Sequence, residues 1–199
     1  MGAYYTYFTA IGIGFLLIEV SQLQRLSIFL GNPTYSLAVV LFSVLLFSGI
    51  GSMFTERFVV VTRPRSFLVP LLVLVGLVLI FGLVAPGIFA RNHGSTTPVR
   101  IAIAVGLLAP LSFGLGMPFV IGMRAATTNG DRPTAFLWGI NGAASVCASV
   151  FGVVIAVFFG ISAAFWTGGV VYVIAAIAMA AIVRAQSAAA VEIAIDASV

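Results

Sequence analysis

Glu19 is the acidic residue that lies well inside an apolar run of this 199-residue chain. A carboxylate in hydrocarbon costs about 3 kcal/mol on insertion scales. It must therefore be protonated, paired, or turned to a polar cavity. Gln22 lies one turn further on, and Gln24 and Arg25 follow closely. Gly12, seven residues before Glu19, shares its helix face. Asn141, in a later apolar run, is a further amide that can hydrogen-bond across helices. Glu19, Gln22, Arg25 and Asn141 thus form the candidate intramembrane polar cluster. Two readings are open. One is a site for a substrate, cation or proton; the other is a structural clamp, with Glu19 bonded to Arg25 or to a neighbouring helix.

A second candidate lies further along. Gly106, Pro110, Gly114, Pro118 and Gly122 follow one another at intervals of four residues. Proline has no N–H for the carbonyl four residues back, and its ring crowds that carbonyl. Here the carbonyls belong to Gly106 and Gly114. A kinked helix with freed carbonyls is predicted, of the kind transporters use to bind cations; a packing kink in a static bundle is the alternative. In the next run Gly142, Ser145, Ser149, Gly152 and Ala156 are spaced three, four, three and four. That spacing predicts a small-residue seam for tight helix association.

Other chemistry is missing. His93 is the single histidine and falls in a loop, and Cys147 is the single cysteine, so no metal site and no disulfide is expected. No nucleotide-binding glycine fingerprint or catalytic triad is found. No cofactor is evident, and catalysis by this chain is not expected.

The elements that carry these residues follow from composition. The chain is 62% hydrophobic and 7% charged, with a mean hydropathy of +1.24. A soluble domain carries roughly a quarter charged residues, so the solvent here is lipid. A bilayer core needs about 20 apolar residues per helix. Six runs qualify: about Tyr4 to Phe29, Pro33 to Phe54, Phe67 to Phe89, Val99 to Met123, Thr134 to Phe159 and Ile161 to Val183. The expected fold is all-α, a polytopic bundle of about six transmembrane helices. It occupies residues 1–185, and an Ala-rich flexible tail covers 186–199.

All nine basic residues are arginine. Six spans put both termini on one side, which collects Arg57, Arg63, Arg65, Arg124, Arg132 and Arg184. The other side has Arg25, Arg91 and Arg100. The bias predicts cytoplasmic termini, and it accounts for the net charge of +4 better than nucleic-acid binding does. Met1 to Tyr7 has no basic stretch, and the run that follows contains Glu19, so no signal peptide is expected. Tyr4, Tyr5, Tyr7, Trp138 and Trp166 lie near span ends and read as interface anchors. Ser48-Gly49-Ile50-Gly51 faintly echoes Phe113-Gly114-Leu115-Gly116, too weakly for an inverted repeat.

Four stretches carry a family resemblance. They are Gly12 to Arg25 followed by Phe29 to Ser36, Leu41 to Ser52, Pro110 to Phe119, and above all Trp138-Gly-Ile-Asn141-Gly-Ala-Ala-Ser-Val-Cys-Ala-Ser149-Val. In this order they resemble the membrane region of bacterial spermidine-synthase-like fusion proteins, over nearly the whole chain up to Arg184. In that family membrane helices accompany a soluble domain resembling an aminopropyltransferase or S-adenosylmethionine-dependent enzyme. No stretch of these 199 residues forms such a domain, and Asn32 stands where the family turn often has His. The resemblance implies a fold, a lineage and a bacterial inner membrane, rather than an activity.

Three functions compete. The first is a non-catalytic membrane subunit or scaffold of a larger complex, with membrane-protein partners or a second copy beside the lipid bilayer. The second is a carrier of a small solute, such as a polyamine or other cation, neutralised by Glu19 with Gln22 and Asn141 binding polar groups. The third is an anchor for a separate soluble synthase, docked on Arg57, Arg63, Arg65, Arg124 and Arg132.

Overall fold

A computed structural model describes residues 1–58, 64–127 and 134–196; side chains 56, 58, 64, 65 and those beyond 188 lie outside the description. The described chain is helical: α1 (Gly2–Leu30), α2 (Pro33–Phe58), a short 3₁₀ turn (Pro64–Phe67), α3 (Leu68–Arg91), α4 (Thr97–Leu115), α5 (Met117–Thr127), α6 (Thr134–Phe159) and α7 (Ile161–Asp196). Six helical segments are long and apolar enough to cross a membrane, with α4 and α5 making one span from Thr97 to Thr127. The chain is a multi-pass membrane helix bundle. Arg63, Arg132 and the side chain of Arg65, on the expected basic face, lie outside the described residues.

The turns follow their residues. Gly31 closes α1 in the left-handed region at φ 73°, its N–H donating to the Ser27 carbonyl; glycine is free of the Cβ penalty there. Asn32 Oδ1 then accepts from the Thr34 N–H at 2.9 Å. Gly160, at φ 93°, makes the reversal between α6 and α7.

α1 is the centre of the bundle and packs along both α6 and α7, with α2 as a further neighbour. Its pair of small residues explains how. Gly12 faces α6: a Cβ there would meet the Asn141 carbonyl oxygen at 2.5 Å. Gly14 faces α7: a Cβ there would stand 2.9 Å from the Tyr172 ring and 3.3 Å from the Gly168 carbonyl oxygen. In lipid no hydrophobic gain draws helices together, so close backbone approach and interhelical hydrogen bonds must do it. Two glycines two positions apart on a helix point to nearly opposite sides, which lets one helix be gripped by two.

The tail expected from residue 186 onward is helix as far as Asp196. Its first residue belongs to the bundle: Gln186 Nε2 donates to the Tyr4 hydroxyl at 3.0 Å and to the Ala125 carbonyl at 2.9 Å. Tyr4 and Tyr7, expected as interface anchors, are 4% and 0% exposed. Trp166 is half-buried against Gly82 of α3, whereas Trp138 is exposed. The two tyrosines turn inward because α5 offers them carbonyls. The Tyr7 hydroxyl donates to Pro118 at 2.7 Å and that of Tyr4 to Ala125 at 3.0 Å.

Candidate functional site

The fourth span breaks once. α4 runs through Pro110 without interruption and ends at Leu115, capped by Gly116. α5 then starts with Met117 and Pro118 in its first turn, where proline is tolerated. Of the two prolines expected to kink this span, the second marks the break. Gly106, expected to admit another backbone, has open space around its Cα. Gly114 instead packs on the side chains of Leu74 and Leu77. What holds the break is α2. A Cβ on Gly116 would overlap the Ser48 carbonyl oxygen, and a Cβ on Gly51 would overlap that of Phe113. The two segments that echo each other in sequence are therefore pressed together, each glycine under the carbonyl three residues before the other. Tyr7 supports the far side, since its ring and that of Phe8 fill the space beside Gly122 at 2.5 and 2.9 Å from a Cβ there.

Tyr7→Phe removes only the hydroxyl and leaves the buried Pro118 carbonyl without that donor. It should lower the stability of the solubilised protein by about 1 kcal/mol, read as a fall in thermal unfolding midpoint. An unchanged midpoint would mean that this bond does not hold α5.

Of the small residues expected as a seam on α6, Ser145 and Gly152 face α1, while Asn141 and Ala148 stand in the places expected for Gly142 and Ser149. Asn141 Nδ2 donates to the Phe8 carbonyl at 3.1 Å, and the Ser145 hydroxyl to that of Gly12 at 3.3 Å. Ala148 is buried, and Gly152 lies against Leu17 and Val20. Gly142 faces open space, and the Ser149 hydroxyl turns back to Val146 of its own helix. The contact face is thus Asn141, Ser145, Ala148 and Gly152. Asn141 displaces Gly142 because its amide finds a carbonyl on α1 and a glycine offers none.

Between α1, α2, α5 and α6 lies a cleft of about 480 Å³. Its walls combine Gly12, Ser48, Ser52, Asn141 and Ser145 with the rings of Phe119 and Trp138. Leu115, Gly116 and Pro118 put the break of the fourth span at its edge. Its mouth includes Leu45, 71% exposed near the middle of α2, and Trp138, 65% exposed. Exposed apolar side chains at mid-span face lipid, so the cleft opens sideways. α2 and α6 flank it, and each buries only 22% of its spanning residues, against 39–50% for the other four spans.

The proposed polar cluster does not assemble as one group. Asn141 is bonded to Phe8, roughly 16 Å along α1 from Glu19 at 1.5 Å per residue. Arg25 lies six residues beyond Glu19, about 120° away around the helix, and faces α7. There its guanidinium donates to the Ser162 hydroxyl at 3.4 Å and lies 5.4 Å from the centre of the Phe165 ring. A Glu19 to Arg25 clamp is therefore not formed. Gln22 is buried; its Nε2 reaches the Ser21 hydroxyl at 3.3 Å, and its Oε1 has no partner. Glu19 is half-buried. It lies on the α1 face of Gly12, Phe15 and Leu16, which line the cleft, one turn beyond its end. Among the described residues no ion pair involves it, and no group of three or more His, Cys, Asp or Glu could hold a metal ion.

With this geometry in hand, the class is a multi-pass helical membrane protein with a lateral cleft. Compared with known proteins, the chain matches no family model, and neither a curated protein nor a solved structure shows significant similarity to it.

Proposed function

We propose that this chain is a non-catalytic membrane subunit that holds another membrane-embedded component in the cleft between α2 and α6. The observation that carries the reading is the lining of that cleft. It opens at mid-span, it mixes small polar and aromatic groups, and its one titratable side chain is Tyr172. Such a lining suits an uncharged apolar occupant with hydrogen-bonding groups, as a transmembrane helix of a partner has. Glu19, unpaired one turn beyond, adds a demand. A half-buried carboxylate in hydrocarbon favours a hydrogen-bond donor on the part of the occupant that extends past the cleft. Both termini in the cytoplasm and a bacterial inner membrane complete the proposal, resting on the arginine bias and on the resemblance to the membrane region of spermidine-synthase-like proteins.

A carrier of small solutes is the second reading. Its support is the broken fourth span at the edge of the cleft, an arrangement transporters use. Against a cationic cargo stands the position of Glu19, which is not among the residues lining the cleft.

The experiment is purification of the chain from its native membrane into lipid nanodiscs, with and without Glu19→Gln. The subunit reading expects a partner in fixed stoichiometry and at least a threefold lower yield of it from the variant. Solute uptake into proteoliposomes by the purified chain alone, abolished by Glu19→Gln, would overturn that reading and establish the carrier.

A further inference from the structure

The end of the bundle away from the termini has a second hollow, of about 230 Å³, between the end of α1, the end of α3 and the start of α7. Arg25, His93 and Ser162 line it, with Phe29, Phe89 and Pro86 as its apolar walls. The Arg25 guanidinium is fixed there from two directions, by the Ser162 hydroxyl and by the face of Phe165. The His93 ring stands edge-on to Phe29, 5.6 Å between centres. None of the residues lining the hollow is acidic.

The surroundings repeat the sign. Arg100, at the start of α4, donates to the Phe29 carbonyl at 3.0 Å, so a second guanidinium lies next to the wall of the hollow. Arg91 is exposed at the end of α3. The chain's acids are Glu19, Glu56, Asp131, Glu192 and Asp196; none lies in the stretches that form this end. Among the described residues, three arginines therefore share one end of the bundle without a carboxylate beside them. The start of α7, with Ile161 and Ser162 in the wall, adds the positive end of a long helix. A guanidinium that is pre-oriented, shielded on one face by an aromatic ring and left without a counter-charge is a site for a tetrahedral oxyanion.

We propose that this hollow binds a phosphate group at the membrane boundary, with Arg25 as its principal ligand and Ser162 and His93 as hydrogen-bonding partners. The phosphate reaches it either as the headgroup of an anionic phospholipid, whose chains run down the apolar walls, or as a soluble anion. Its depth is that of a headgroup, because the lining residues lie in the last two turns of α1 and α3, in the turn after α3 and at the start of α7.

The full chain in neutral detergent tests it by thermal unfolding and by native mass spectrometry. Three probes are added in turn: short-chain phosphatidylglycerol, short-chain phosphatidylcholine and inorganic phosphate. Binding of phosphatidylglycerol at least about tenfold tighter than phosphatidylcholine, without a response to inorganic phosphate, supports the site and identifies the lipid source. A response to inorganic phosphate as well supports it with a soluble source. Arg25→Gln should weaken either response by about tenfold or more, the worth of one charge-assisted hydrogen bond or more. Ser162→Ala, which removes only a hydroxyl, should weaken it by a smaller factor. No preference among the three probes, or a preference that both variants keep in full, would overturn the proposal. The outcome is independent of whether a partner occupies the cleft.

Discussion

Leucine in place of Gly116 will leave little or no folded protein in the membrane. The Cβ alone would overlap the Ser48 carbonyl oxygen, and backbone cannot turn aside as a flexible side chain does. Restoring the contact requires α2 to move off α4, and the crossing at Gly51 would open with it, because the two contacts are reciprocal. Overpacking of an ordinary core costs about 1–3 kcal/mol; two backbones forced apart should cost about 3 kcal/mol or more. Gly51→Leu should do the same. The controls are internal. Gly106 and Gly142 face open space, so alanine at either should change stability by no more than about 0.5 kcal/mol. The measurement is the yield of monodisperse protein and its unfolding midpoint in one detergent. Equal midpoints for Gly116→Leu and Gly106→Ala would mean that the α2–α4 crossing is not where the structure puts it.

Tryptophan at Gly49 should have the opposite profile, a folded protein whose cleft is filled. Gly49 lines the cleft, and open space surrounds its missing Cβ. A side chain there enters the cleft from an open position, so the unfolding midpoint should stay within about 0.5 kcal/mol of the parent. If a partner helix sits in the cleft, its retention through purification should fall about tenfold or more, equivalent to about 1.4 kcal/mol of binding. A photo-reactive side chain at Leu45, in the mouth of the cleft, should cross-link to that partner in the parent and lose it in Gly49→Trp. Undiminished retention in a well-folded Gly49→Trp protein would remove the cleft from the interaction.

The two variants separate the parts that hold the bundle from the part left open. The glycines at positions 12, 14, 51 and 116 are filled by neighbouring backbone or side chains, whereas those at 49, 76, 139 and 142 are not. Sequence alone does not tell them apart, since each is a glycine in an apolar run. For the same reason two positions of the expected α6 seam, Gly142 and Ser149, give way to their neighbours Asn141 and Ala148, while Ser145 and Gly152 keep their places. Small residues on adjacent faces produce the same spacing, and the choice falls to Asn141, whose amide finds a carbonyl on α1.

What the residues determined by themselves is the number and extent of the spans. Bilayer thickness sets helix length, and a chain without water around it must close every backbone hydrogen bond within each helix. The expected boundaries accordingly fall within about five residues of the spanning segments, from Gly2–Leu30 to Ile161–Ala188, although α7 itself continues as helix to Asp196. Glu19, Arg25 and Asn141 could also be singled out, because polar groups in hydrocarbon are costly wherever they point. Their partners were decided only by tertiary structure. Helix rotation sends Arg25 to Ser162 and Phe165, Asn141 to Phe8 and Glu19 to the edge of the cleft without a partner. Tyr4 and Tyr7, near a span end, became buried donors because a proline-broken α5 placed carbonyls within their reach. Hydropathy measures the solvent that a segment needs; it carries no information on which side of that segment its neighbour will stand.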